Sequence, residues 1–336
     1  MRKFVAPVSL LLFFALLAGL LSSASAAGSA PVAENLELST YRGVSVGGRL
    51  SASDPDGDAL SYAVTTRPVK GRLDLDADGH FVYTPADGKR GKDYFGYQAV
   101  DADGNRSQEA TVIIRIEKQK SKLTYSDLDG RGCACAAVRL AEEEVFRGEY
   151  LAGEYVFDPD TPVTREEFLA MCMKVSGVRP LSGVRSTGFA DDAEIAVWAR
   201  PYIGTALKNG FISGYSGETG AVFAPDREIS VLEAAVILNR AVELTDAVSA
   251  WFAWDDSIPA WAVQSAANVS SCGLLPYGCS FSDETLTRAQ AAEMLCGAMD
   301  ILARRSYQES VTDTGHAFSF SARASSASAT IVAYSV

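Results

Sequence analysis

"TPVTREEFLAMCM", Thr161 to Met173, reads as the opening of an α-helix. Thr164 and Glu167 stand at capping-box spacing: the hydroxyl accepts a bond from an otherwise unpaired helix amide, and the acid three residues on reaches back, worth about 0.5–2 kcal/mol per cap. The phrase comes back twice. "EISVLEAAVIL" puts Ser230 and Glu233 in those places and "TLTRAQAAEML" puts Thr287 and Gln290 there, so the caps are 66 residues (230 − 164) and 57 residues (287 − 230) apart. Such a period marks stacked helical units. Capping explains the hydroxyl and the acid. It does not explain Arg165 and Arg288, beside two of the caps.

The text around each cap keeps one order. In the second segment, 189–244, a Phe-x-Asp opening leads to Trp198 and a helix with Ile203 and Leu207 on one face, stopped at Gly210. An aromatic loop, Phe223-Ala224-Pro225-Asp226, and the capped helix follow. The third segment, 254–302, repeats this with Trp254, Trp261-Ala262, Gly273, Phe281 and Thr287-Arg288. The first, 125–178, has Tyr125-Ser126-Asp127, Gly148, Phe157-Asp158-Pro159-Asp160 and Thr164-Arg165, but no tryptophan.

Upstream the periodicity shortens. Between Pro31 and Glu117, "RLDLDADGHFVYTP" alternates Leu73, Leu75 and then Phe81, Tyr83 with polar residues around Asp78-Gly79, which predicts a β-hairpin. Leu60–Thr66, Asp93–Asp101 and Glu109–Glu117 are further strand candidates. About seven short strands over residues 31–117 predict an all-β sandwich. Residues 118–124, which include the basic "KQKSK" run, read as a linker, and 303–336 as a Ser/Ala-rich tail that is disordered or adds a strand or two.

Arg2 and Lys3, the apolar run Phe4–Leu21 and Ala24-Ser25-Ala26 have the order of a secretory signal peptide over 1–26. An uncleaved membrane anchor is the alternative, against which Pro7, Ser9 and Gly19 interrupt the run. Of 336 residues, 30 are basic and 42 acidic; without Arg2 and Lys3 the balance is 28 − 42, or −14. Residues 125–302 hold 12 basic and 26 acidic side chains, again −14. Such a surface does not seek nucleic acid, and an anionic ligand there must be held by a few placed cations. Six cysteines in an exported chain permit disulfides. Cys133 or Cys135 with Cys172, and Cys272 with Cys279 or Cys296, are the favoured neighbours, with zinc a weak alternative and unpaired buried thiols also open.

Two resemblances are carried by these residues. "SASDPDGDALSY", "KGRLDLDADGHFVYTP" and "GKDYFGYQAVDADG" resemble the bacterial Ig-like and cadherin-like modules of exported surface proteins, which implies a spacer or adhesive unit. By that resemblance Asp54, Asp56, Asp58, Asp101 and Asp103 could meet at one end of the sandwich and take calcium; the alternative is that Asp-Gly pairs are turn formers. Asp74, Asp76, Asp78 and Gly79 copy the first half of a helix-loop-helix calcium loop, but Pro85 occupies its closing-glutamate position and the reading is rejected. The three helical segments resemble S-layer homology (SLH) domains. That implies an all-α pseudo-threefold triplet that attaches noncovalently to the envelope through anionic, often pyruvylated, secondary cell-wall polysaccharide, at the cell wall or S-layer surface.

The resemblance assigns Arg165 and Arg288 as ligand contacts, where a guanidinium and the first-turn amides of a helix together suit a carboxylate. Trp198 and Trp261 could stack on sugar or pack the core, and core packing is favoured. Val231 replaces the arginine in the second segment, so one or two working grooves are expected rather than three. No cofactor is implied beyond that possible calcium. Only two histidines occur, His80 and His316, neither in a recognisable catalytic motif, so an enzyme is not expected. The alternative function is a calcium-dependent surface adhesin.

Overall fold

The computed structural model describes residues 28–249 and 257–313. The signal segment, the Trp254 opening and the end of the tail lie outside the described residues. Nine strands come first: β1 Val32–Ala33, β2 Leu36–Tyr41, β3 Val46–Arg49, β4 Ala52–Ser53, β5 Ser61–Thr66, β6 Gly71–Leu75, β7 His80–Pro85, β8 Gly91–Val100 and β9 Ala110–Glu117. One sheet runs β2-β9-β8-β5 and the other β3-β7-β6, with β1 and β4 paired at the edge. Alternation in the sequence builds the core: along β9, Ala110, Val112, Ile114 and Ile116 are buried and their neighbours are not. Phe81 and Phe95 meet edge-on across the sandwich, centroids 5.2 Å apart. The hairpin expected around Asp78-Gly79 joins β6 to β7, with Gly79 at φ 88° and its amide on Asp76 O. β2 pairs with β9 in parallel, which links the two ends of the module and has no local signal in the sequence.

Helices then take over: α1 Ala134–Glu142, α2 Arg165–Ser176, α3 Arg200–Lys208, α4 Val231–Val242, α5 Val263–Ser271 and α6 Arg288–Asp313, with short hairpins β10 Glu149–Leu151/β11 Glu154–Val156 and β12 Tyr215–Ser216/β13 Ala221–Val222. Both boxes at Thr164/Glu167 and Ser230/Glu233 are closed in both directions. Thr287 and Gln290 close the third, each amide bonded to the other's side chain. One apolar core runs through all three segments, including Phe168, Leu169, Ile203, Leu238 and Leu295. The last helix continues past Leu302 to Asp313, where the sequence reading placed the start of the tail.

The stretches entering the three caps lock together at their centre. Val163 N donates to Leu286 O (2.9 Å), Leu286 N to Ile229 O (2.9 Å), and Ile229 N to Val163 O (3.0 Å), a closed ring. One step out, Arg165 N donates to Arg227 O, Val231 N to Glu284 O and Arg288 N to Thr161 O. The opening Asp of a segment also has a structural task. Asp127 accepts from Phe157 N and Asp158 N, and Asp191 from Phe223 N and Ala224 N, holding the aromatic loops where Asp158 and Ala224 adopt positive φ.

The β module is docked on the helices. Gly47 N bonds Gly132 O (2.9 Å), and a Cβ added to Gly132 would stand 3.2 Å from Gly47 Cα, so the two backbones touch where neither residue has a side chain. Tyr41 donates to Glu142, which also takes the Ser121 amide, and Lys120 pairs with Glu143, so the linker lies along α1. At the far side Tyr277 stacks on His80 (3.8 Å, 11°) and bonds Asp78.

All six cysteines are unpaired, contrary to the favoured disulfides. Two helical residues apart is about 200° of turn, and Cys133 and Cys135 accordingly serve different cores. Cys133 packs among the helices, whereas Cys135 sits in the core of the sandwich with its thiol toward Ser39 O. Burial pushes both thiols up to about 11 and that of Cys172 up to about 12.

Candidate functional site

Two grooves between segments hold the arginines at the cap positions. In the first, Arg165 leaves the start of α2 and lies against segment two, its guanidinium carbon 4.7 Å from the Tyr215 ring centroid and 5.2 Å from that of Phe223. Its Nη1 is 3.8 Å from Glu233 Oε2, and only 7 % of the side chain is exposed. Burial lowers its pKa, against the pull of Tyr215 and Glu233. Arg165 Nε is buried without a hydrogen-bond partner. Tyr215 donates to Glu233 Oε1, and burial together with that bond pushes the phenol up to about 12.

A second cation stands here that the sequence reading did not single out. Arg227 bonds Tyr215 and Glu233 through Nη2, its guanidinium carbon 4.6 Å from the Tyr215 centroid, and its side chain is 49 % exposed. Its signal was available in principle: a basic residue four positions before Val231, in the one segment whose cap lacks arginine.

In the second groove Arg288 leaves the start of α6 toward segment one. It lies 5.4 Å from the Phe146 centroid, bonds Phe157 O and Glu149, and is 3.6 Å from Asp158 Oδ2. Its side chain is 12 % exposed. Leu140, Phe146, Phe157, Val163, Met171 and Ala292 line the adjoining pocket of about 250 Å³, which includes its open mouth. At the third position Val231 is buried in the core.

Two expectations need correction. The first-turn amides do not wait for an anion: those of Arg165 and Glu166 bond Arg227 O and Pro225 O, those of Arg288 and Ala289 bond Thr161 O and Pro159 O, and the next amide in each helix goes to its cap hydroxyl. The neighbouring segment consumes them, leaving side chains alone to face a ligand. The tryptophans do not pack the core. Trp198 and Trp261 are 52 % and 57 % exposed, in the turns before α3 and α5, while the alanine after each, Ala199 and Ala262, is fully buried. The cation–π partners of Arg165 and Arg288 are Tyr215, Phe223 and Phe146, not these indoles.

At the end of the sandwich the five aspartates do gather. Burial, then the charges of Asp54, Asp103, Asp101 and Asp56, raise the pKa of Asp58. Asp54 Oδ2 is buried without a partner, which suits a cation. Asp56 is bonded to Ser29 N and Asp101 to Asn105, however, and among the described residues no three acidic, His or Cys side chains are arranged to hold a metal ion. The carboxylates are collected but not assembled as a ligand set.

Comparison with known proteins finds a match in each half of the chain. A bacterial cadherin-like domain matches residues 28–118, and an S-layer homology domain matches residues 188–235, the second helical segment. The chain is 30 % identical to the cellulosome-anchoring protein of Acetivibrio thermocellus over 129 residues, 37 % of this chain and 27 % of that one. It is 25 % identical to exoglucanase XynX of the same organism over 190 residues, 54 % of this chain and 17 % of the relative. It therefore spans about a quarter or less of the length of these curated relatives. Fibronectin(III)-like modules of Clostridium thermocellum CbhA align with 29 % of this chain and 51 % of theirs at 17 % identity and a TM-score of 0.20, too slight a likeness to bear on the fold. The chain is a secreted, cell-surface protein carrying a cadherin-like and an SLH domain, both non-catalytic anchoring or structural modules. No helix among the described residues is long and apolar enough to cross a membrane.

Proposed function

We propose that residues 125–302 form a pseudo-threefold triplet of SLH units that holds the protein to the envelope through anionic secondary cell-wall polysaccharide, with the cadherin-like module as spacer or adhesive unit. The observation that carries this is the pair of intersegment grooves, each with an arginine at a helix mouth set against aromatic rings, on a chain with a matched SLH domain. The ring of Val163, Ile229 and Leu286 supports the triplet, because equivalent residues of three segments make equivalent bonds. A pyruvate ketal fits a guanidinium beside an aromatic face: the carboxylate takes the fork and the sugar takes the ring.

Co-sedimentation with purified cell walls, before and after chemical stripping of the polysaccharide, tests the reading. Pelleting lost on stripping supports it, and unchanged pelleting sinks it. Arg165→Ala and Arg288→Ala in the same assay test the arginines; retention unchanged in both removes them from the site.

The buried, unpartnered Asp54 Oδ2 favours a second reading, calcium-dependent adhesion by the β module through Asp54, Asp56, Asp58, Asp101 and Asp103, in which Asp56 and Asp101 exchange their bonds to Ser29 N and Asn105 for the ion. Calcium would relieve the mutual repulsion around Asp58 and satisfy Asp54 Oδ2. Melting of the full chain with millimolar calcium against chelator decides it: a higher midpoint with calcium is expected, and coincident curves reject it.

A further inference from the structure

The two arginine grooves are not equivalent, and the difference lies in what already neutralises each guanidinium. Arg288 faces two carboxylates, Glu149 and Asp158, as well as the Phe157 carbonyl. An anion entering there must displace acids that the fold supplies. In the other groove two guanidinia, those of Arg165 and Arg227, share one carboxylate, Glu233. That carboxylate is occupied further by the Tyr215 hydroxyl and by the Ser230 amide it caps. One positive charge is left over among the groups in contact, beside an aromatic ring.

Arg165 cannot be the group that meets a ligand first, because its side chain is buried beneath Tyr215 and Phe223. Arg227 can. All its side-chain hydrogen bonds to described residues leave from Nη2, so Nη1 and Nε, the other donors of the planar fork, remain on a half-exposed side chain. Beneath it Arg165 Nε is buried and unpartnered, a donor inside the same cluster with nothing to donate to.

We propose that Arg227 is the ligand-contacting cation of this protein, and that the groove between the first and second helical segments is its operative site for a compact oxyanion borne on a sugar. Arg165 positions Tyr215 and supplies charge from below; Glu233 holds the two guanidinia apart. The groove at Arg288 is the weaker of the two, because an anion there must displace Glu149 and Asp158. The assignment rests on the anchoring reading for its ligand class, but not for its test. The oxyanion is either the carboxylate of a pyruvate ketal or a phosphate on the wall polymer, and a planar fork binds both.

The test is titration of the full secreted chain with a methyl hexoside carrying a 4,6-linked pyruvate ketal, with its methyl ester as the uncharged control and inorganic phosphate as the second arm. Saturable binding of the ketal or of phosphate, and none of the ester, is expected. Arg227→Ala should weaken it at least tenfold, the scale of losing a charge-assisted bond. Arg227→Lys should retain part of it, and Arg288→Ala should weaken it less than Arg227→Ala does. Ketal binding that survives Arg227→Ala, or is lost with Arg288→Ala instead, overturns the assignment, as does a parent chain that binds neither anion. Wall pelleting is scored separately. A parent chain that pellets while Arg227→Ala pellets equally sinks this assignment and leaves anchoring intact, whereas a parent that does not pellet sinks anchoring alone. Circular dichroism of each variant checks that its fold is kept.

Discussion

At the residue scale, single carboxylates organise this protein. Asp191 accepts the amides of Phe223 and Ala224, and among the described residues those amides have no other partner once it is removed. Asp191→Ala is expected to lose about 2–3 kcal/mol in urea unfolding, from buried donors left unsatisfied. A loss within error would show that water replaces the carboxylate. Glu293 gives a pH signature. Burial raises its pKa to about 7 from 4.5, so the folded chain holds that proton more tightly than the unfolded one. Stability from this group is present below about pH 4.5 and falls as pH rises toward 7, by up to ~3 kcal/mol. Glu293→Gln should flatten that slope, read from melts between pH 4.5 and 7.5; an unchanged slope assigns it elsewhere. The position of Arg165 and Arg288 one residue after a cap was legible in the sequence. The burial of Arg165 and the acids on Arg288 were not, since each depends on a side chain from another segment, and the partnership of Arg227 with Tyr215 depends on how the β12–β13 hairpin folds back within its own segment.

Elements were legible where their signals are local. A hydroxyl with an acid or amide at capping spacing marked all three helix starts, and alternation along Ala110–Glu117 marked a strand with one buried face. Ser230→Ala should cost about 1 kcal/mol, the usual value of a lost cap. The tryptophans misled because a large aromatic beside a helix usually goes inward; here the small Ala199 and Ala262 take the tightly packed place and leave the indoles outside. The ring joining Val163, Ile229 and Leu286 had no local signal, since each bond spans dozens of residues. It predicts that the helical half unfolds as one unit. Leu286→Ala, at a fully buried ring position, should cost about 2–5 kcal/mol and lower a single transition. Separate transitions for the segments would show that the ring does not couple them.

At the scale of the whole molecule, the sequence suggests two modules joined by a linker that includes the basic run Lys118–Lys122. Folding lays this run on α1, where Glu142 and Glu143 hold it. The exact fit at Gly47 and Gly132 gives the test. Gly132→Val would force the two backbones apart, and trypsin should then cut at Lys118, Lys120 or Lys122 several-fold faster than in the parent chain. Equal cleavage would mean that docking does not depend on this contact.

The same junction determines how a pull is transmitted. Were the halves joined only by residues 118–124, drag on the outer module would be carried by one thread of backbone. Instead it crosses at the Gly47–Gly132 contact, the Tyr41–Glu142 bond and the His80–Tyr277 stack together. In a chain anchored as proposed, flow past the cell loads the seam and the anchor in series: a seam that yields first lets the outer module swing out on residues 118–124, and only failure of the anchor releases the protein.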